Sequence, residues 1–407
     1  MSKIYRSGLL IDGQGGKPLV NAAVWVEQGR IKEVLPAGSS LPEGIAVEDL
    51  SKYTIMPGLI DMHVHIDYWH SQPNVAEFAE GEGLVAALAA RNIRSTLEKG
   101  VTTLRDVSST FGLQMRRAVE LGLVPGSRII SAAKGICMTG GHGHDTQGVV
   151  QADGPEEVRK AVRQQIRAGA DLIKILTSHR SETPEYRQEE LDAGVDEAHR
   201  LGYRVACHAA IMPAAKMAVL AGVDTLEHGT HLTDEVRELM AQRGTYLVPT
   251  MIAYHSMGVA ARSVMADPLN SGDYNRTQLA RHADWWIKTD EMLESQFRKA
   301  VAAGLKITTG TDIVIPDVEF ASLHTELELM VKFGYSEMNT ICAATRVAAE
   351  ALGKSADLGT LTKGKIADFV AVQGNPLENI SSLRNIRVVV KDGRVEIPYG
   401  LDVAAQD

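Results

Sequence analysis

Short apolar runs recur along the chain, each launched by a glycine that closes a helical stretch. The junctions read EKGVTTLRDV at Gly100, RAGADLIKIL at Gly169 and RLGYRVACHA at Gly202. They recur as LAGVDTLEHG at Gly222, QRGTYLVPTM at Gly244 and AAGLKITTGTD at Gly304. Glycine at the end of a helix takes the left-handed conformation without a Cβ clash. The runs that follow are continuously apolar, as strands buried on both faces are. Pro155 opens a helix whose apolar positions Val158, Val162 and Ile166 keep a helical period. With strands near 59–64 and 128–133, these junctions predict eight alternating β and α elements. The same alternation suits an open doubly wound sheet, but eight units over about 300 residues favour a closed (β/α)₈ TIM barrel over 58–357. The interval 253–290 has no clear strand and reads as an elaborated loop with helical pieces over the barrel mouth.

The two ends have a different rhythm. Residues 1–57 and 358–407 contain short alternating segments such as AAVWVEQGRIKEVLP and IRVVVKDGRV, separated by glycine turns. Neither set closes a sheet alone. Together they predict a small β-sandwich domain built from both termini.

The composition narrows the function. With 407 residues, 44% of them hydrophobic, the chain can bury a sizeable core. A formal net charge of −9 offers no basic face to nucleic acid. Cys137, Cys207 and Cys342 lie far apart, which argues against a disulfide framework and suits a reducing compartment. The N-terminal segment has no signal-peptide core, and no run of about 18 apolar residues spans a membrane. A cytoplasmic protein is expected, acting on a small-molecule substrate as a homo-oligomer, with neither nucleic acid nor membrane as partner.

Ligand-type side chains sit at the ends of the predicted strands, where barrel active sites are built. His63 and His65 close GLIDMHVH, and alternate strand residues point to one side. Lys174 lies inside LIKIL, where an isolated ammonium is costly to bury. His208 ends RVACH, His228 ends DTLEH, and Asp312 follows KITTGT. Each alone has a plain structural reading: a core histidine, a salt-bridged lysine, a helix cap. Six such residues at the ends of strands one, four, five, six and eight point instead to a metal centre.

This set resembles the amidohydrolase superfamily over nearly the whole chain. MPGLIDMHVH (Met56–His65) is similar to its first-strand signature, and GTLTKGKIADFVAV (Gly359–Val372) to its return into the small β-domain. The resemblance implies that His63, His65 and Asp312 bind one divalent metal, that His208 and His228 bind a second, and that a carboxylated Lys174 bridges them. Zinc suits these ligands, and manganese or cobalt could replace it. A hydroxide bridging two such cations would attack the substrate, with Asp312 relaying its proton. Relatives that deaminate usually lack the bridging lysine, and scaffold members have lost ligands; this chain keeps all six positions.

Within the superfamily, CMTGGHGHDTQG (Cys137–Gly148) resembles a loop of the branch containing prolidase-like dipeptidases, Xaa-Arg/Lys carboxypeptidases and imidazolonepropionase-like enzymes. The resemblance makes His142 a catalytic group that polarises the substrate carbonyl, with His144 lining the pocket. Tyr254 in PTMIAYHSM matches a carbonyl-contacting tyrosine of the same branch. The implied reaction is hydrolysis of the amide bond of a dipeptide or N-acyl amino acid. Its carboxylate needs a cation, for which Arg180, Arg262, Arg276 and Arg281 are candidates. The branch also resembles hydrolases of xenobiotic amides, ureas and carbamates, such as ochratoxin, phenylurea and molinate hydrolases. Trp285 and Trp286 could line an apolar pocket for such a molecule.

Overall fold

The computed structural model describes residues 2–67, 81–178, 183–266, 279–313, 320 and 322–397. Seven parallel strands follow one another around a ring: Leu59–Val64, Val101–Asp106, Arg128–Ser131, Ile173–Leu176, Val205–Ala209, Thr225–His228 and Tyr246–Val248. The third and fourth are joined where Asp171 N donates to Ser131 O at 2.7 Å. The eighth stave is the short segment 305–309. Leu247 N donates to Lys306 O at 2.8 Å on one side, and Met62 N to Thr309 O at 3.0 Å on the other. Just beyond, Asp312 N donates to His63 O at 2.8 Å, which closes the first strand against the last. The architecture is the expected TIM barrel.

The helices follow the same logic. Gly154–Ala168 has proline in its first turn and ends at Gly169 with φ 105°. All six junction glycines have positive φ, between 70° and 105°. Val158 and Val162 pack with Leu191 and Val195 of the next helix and with Ile173 and Ile175 of the fourth strand. Lys174, between those two isoleucines, is thereby turned to the other face, into the barrel. No helix among the described residues is long and apolar enough to cross a membrane.

The interval 253–290 differs from the expected loop. Its described residues belong mostly to two long helices, Met251–Ala266 and Ala283–Ala302. They touch at Gly258, where an added Cβ would lie 2.4 Å from Asp290 Cβ. Glycine is what allows that approach.

Strands from both ends of the chain share one mixed sheet, in which Ser2–Leu10 and Ala46–Pro57 lie side by side and Phe369–Val372 pairs antiparallel with Ala46–Pro57. Its core of Tyr5, Leu10, Val24, Phe369 and Val388 is separate from that of the barrel. Ala46–Pro57 leads through Gly58 straight into the first barrel strand. At the seam, Arg128 pairs with Asp368 and with Asp392, and Lys391 Nζ donates to Gly126 O at 2.8 Å.

Candidate metal centre

The extended backbone of the first strand aims His63 and His65 the same way. Their Nε2 atoms lie 3.5 and 3.3 Å from Asp312 Oδ1. His228 Nδ1 lies 3.8 Å from Asp312 Oδ2. The ligand atoms of His63, His228 and Asp312 all fall within 4.8 Å of one another. His208 joins through its Nδ1, 2.8 Å from His228 Nε2. Strand ends from residues far apart in sequence thus converge on one spot. His228 stands beside His63 and Asp312 as well as His208.

The backbone bends to make this possible. His228, Thr250 and Asp312, at the ends of strands six, seven and eight, have φ of 72°, 45° and 48°. Left-handed backbone costs a non-glycine residue about 1 kcal/mol, and such strain gathers at functional sites. The turn at His228 lets neighbouring residues both face inward. Glu227 reaches His63 while His228 reaches His208 and Asp312.

One nitrogen of each of three rings is anchored. His63 Nδ1 is 2.7 Å from Glu227 Oε2, His65 Nδ1 is 2.8 Å from Ser108 O, and His228 Nδ1 is 2.7 Å from Thr250 Oγ1. Burial lowers the pKa of His63 to about 4 and of His228 to about 3, and holds His208 well below the ordinary histidine value. These imidazoles are therefore neutral near pH 7, the form that ligates metals. Burial alone would raise the Asp312 carboxyl. The surrounding imidazoles of His63, His65 and His228 outweigh it, and the group is lowered.

Lys174 is 1% exposed, and its Nζ has no hydrogen-bond partner. Burial lowers its pKa, and its charge is felt by His63, His208 and His228. An orphaned buried amine beside inward-facing neutral imidazoles and a carboxylate is an unfinished polar site. The donor set fits divalent cations with nitrogen and oxygen ligands.

Around this cluster, the His142 ring stacks on His208 with centroids 4.2 Å apart. The backbone N of His142 donates to Glu185 Oε2 at 2.9 Å, which pins the glycine-rich loop. His144 is exposed, with Nδ1 2.8 Å from Gly141 O of its own loop, and is not gathered into the cluster. Tyr254 is buried, 5.3 Å from the His228 ring between centroids. An aromatic wall runs outward from it: Trp286 at 5.6 Å, Trp285 at 6.2 Å, and His231 stacked on Trp285 at 5.6 Å. Arg180 and Arg276 lie outside the described residues. Arg262 is held by Asp290 Oδ2 at 2.5 Å, and the same carboxylate's Oδ1 is 2.8 Å from His255 Nδ1. Arg281 is exposed.

Sequence reasoning did not find Glu227, Arg105, Thr250 or Glu185. Glu227 and Arg105 carried the signal that exposed Lys174, a charge inside an apolar run, in DTLEH and TTLRDV.

Comparison with known proteins agrees with this geometry. The model of the amidohydrolase family matches residues 54–395. Ochratoxinase of Aspergillus niger is 30% identical, over 95% of this chain and 84% of its own length. Its crystal structure superposes with a TM-score of 0.83, at 25% identity, covering 98% of this chain and 96% of that one. A Xaa-Pro dipeptidase crystallised with methionine in its active site gives a TM-score of 0.87 at 32% identity, covering 97% of this chain and 99% of the other. A prolidase complexed with N-methylphosphonate-L-proline gives 0.85 at 28% identity, with 97% and 99% covered. With a barrel of this construction, a histidine–aspartate cluster at its mouth and a family match that runs through both, the chain belongs to the amidohydrolase family.

Proposed function

We propose that the chain is a metal-dependent hydrolase that cleaves the amide bond of a dipeptide or N-acyl amino acid. The proposed ligands of two divalent ions are His63, His65, His208, His228, Asp312 and a carboxylated Lys174. The observation that carries this reading is the Lys174 amine, buried without a partner beside three histidines of depressed pKa. A neutral amine adds carbon dioxide and loses one proton, giving a carbamate whose anionic oxygens suit metal ions. The ions, when bound, supply Lewis-acid polarisation of the carbonyl and a lowered pKa for water.

In the proposed reaction, the water oxygen bonds to the amide carbon and the C–N bond breaks. Asp312, held as a carboxylate, accepts a proton from the water on one oxygen and passes it to the leaving nitrogen. His142 donates a hydrogen bond to the carbonyl oxygen as negative charge builds there. Tyr254, whose ring lies 5.3 Å from that of His228, supports the same oxygen through its hydroxyl. Arg180 is the cation proposed for the substrate carboxylate. The likeness to a Xaa-Pro dipeptidase supports the dipeptide.

A second reading, hydrolysis of a xenobiotic amide, urea or carbamate, is favoured by the wall of Tyr254, Trp285, Trp286 and His231, and by the likeness to ochratoxinase. One experiment separates the two. Protein loaded with zinc and bicarbonate is incubated with a mixture of dipeptides, N-acyl amino acids, neutral aryl amides and carbamates, and products are read by mass spectrometry. Turnover of the carboxylate-bearing amides, abolished by a chelator, is expected. Turnover that survives chelation removes the metal dependence. Faster turnover of the neutral compounds hands the site to the second reading.

A further inference from the structure

Arg105 is a long cation in the second strand, wholly buried inside the barrel. Its Nη2 donates to both oxygens of Glu227, at 2.7 and 2.8 Å. Its Nη1 donates to Thr225 Oγ1 at 2.9 Å, and its Nε to Met62 O. Glu227, in the sixth strand, is equally buried and places Oε2 2.7 Å from His63 Nδ1. The chain of contacts crosses the barrel from strand two to strand six and ends on a strand-one histidine. Buried ion pairs that serve stability alone are often replaceable by apolar side chains of similar volume. This one spends a carboxylate lone pair on an imidazole at the barrel mouth.

We propose that Arg105 and Glu227 are positioning residues, a strut that holds the His63 ring with Nδ1–H donated to Glu227 and Nε2 turned towards Asp312. The inference rests on the metal-centre reading for its purpose, though not for its geometry. A carboxylate paired with a guanidinium only accepts hydrogen bonds, so the proton of the neutral imidazole must sit on Nδ1. That leaves the lone pair on Nε2, 3.5 Å from Asp312 Oδ1, where a ligand nitrogen is wanted. Arg105 fixes the carboxylate from behind with two hydrogen bonds, so the ring cannot turn without breaking the strut.

The test begins with metal-free protein labelled with ¹⁵N at histidine. The His63 signal is identified by its absence from His63→Asn. The proposal expects it to show the Nδ1–H tautomer, with a downfield proton that moves in Glu227→Gln. Finding the Nε2–H tautomer in the wild type would overturn it. Zinc affinity is then measured by competition with a chelating dye. The double variant Arg105→Gln with Glu227→Gln leaves no unpaired buried charge, and is checked for folding by circular dichroism. It should bind zinc about 10- to 100-fold more weakly than the wild type. A folded double variant with wild-type affinity would also overturn the strut. If the wild type binds no zinc, the metal reading fails, and the tautomer measurement still decides the strut.

Discussion

Two buried lysines, in two regions of the molecule, have opposite surroundings. Lys391 sits at the seam between barrel and terminal sheet, with its ammonium on Gly126 O at 2.8 Å. Beside it, Arg128 is shared between Asp368 and Asp392 and donates to Thr103 Oγ1. Every charge there is answered by the protein itself. Lys174 at the mouth is more deeply buried, yet its Nζ meets no partner. The backbone around the mouth is bent through three left-handed residues, His228, Thr250 and Asp312. The seam is a finished structure whose polar groups hold two parts together. The mouth carries an unmet polar demand, and that is where an outside ligand gains most.

Substitutions should separate the two regions. The largest effect is expected from Lys174→Met, which keeps the volume and removes the amine. Activity and bound metal should be lost together, while the melting temperature stays level or rises because a partnerless buried amine has gone. A folded Lys174→Met protein with full activity would erase the distinction. His142→Asn should keep its metal, measured in the same sample, and lose kcat by roughly 10- to 1,000-fold, as for one lost oxyanion donor. A change in KM alone would move His142 to substrate binding.

At the seam the expected pattern is reversed. Arg128→Met leaves Asp368, which keeps its hydrogen bond from Asp392 N, without its ion-pair partner and should cost about 2 kcal/mol of stability, read by denaturant melts. Activity per folded molecule should be unaffected. Loss of activity at full stability would show that the seam reaches the chemistry.

A pH dependence sharpens the boundary between the regions. Glu326 is fully buried, and its two oxygens accept from Met251 N at 3.0 Å and Ile252 N at 2.7 Å. Burial pushes its pKa up to about 8. The folded state then holds a proton that the unfolded chain releases near the ordinary glutamate value. Stability from this group is full below that value and falls as pH rises through about 8. Glu326→Gln should flatten this slope in melts taken between about pH 4 and 9, a range that brackets both values. An unchanged slope would mean that the helix start keeps Glu326 ionised in the folded protein.

Much of the barrel was legible because its strands are apolar on both faces and six of the eight follow a glycine that turns left-handed. The candidate ligand residues stood out as polar interruptions at strand ends. The helices around 253–290 were harder to read. Met251–Ala266 buries residues nearly all round, including Met251, Ile252, Ala253, Tyr254 and Gly258, so it shows no narrow apolar stripe. Arg262 read as a free cation because its partner, Asp290, lies on another helix. The left-handed turns at His228, Thr250 and Asp312 were invisible, since none is glycine. Glu227 was overlooked beside His228 because strand alternation alone sends neighbours to opposite faces, and only the turn at His228 brings both inside.

The hydrogen bond from Asp312 N to His63 O ties together residues 249 positions apart in the chain. Contacts of such sequence separation form late, because the loop they close must first lose its freedom. The histidines of strands one, five and six can be made and packed while the eighth stave is still missing, but their carboxylate partner arrives only when the ring shuts. During synthesis, then, a chain that has not reached Asp312 holds several parts of the cluster and none of its closure. Closing the ring and completing the histidine–aspartate cluster therefore share one contact, the hydrogen bond from Asp312 N to His63 O.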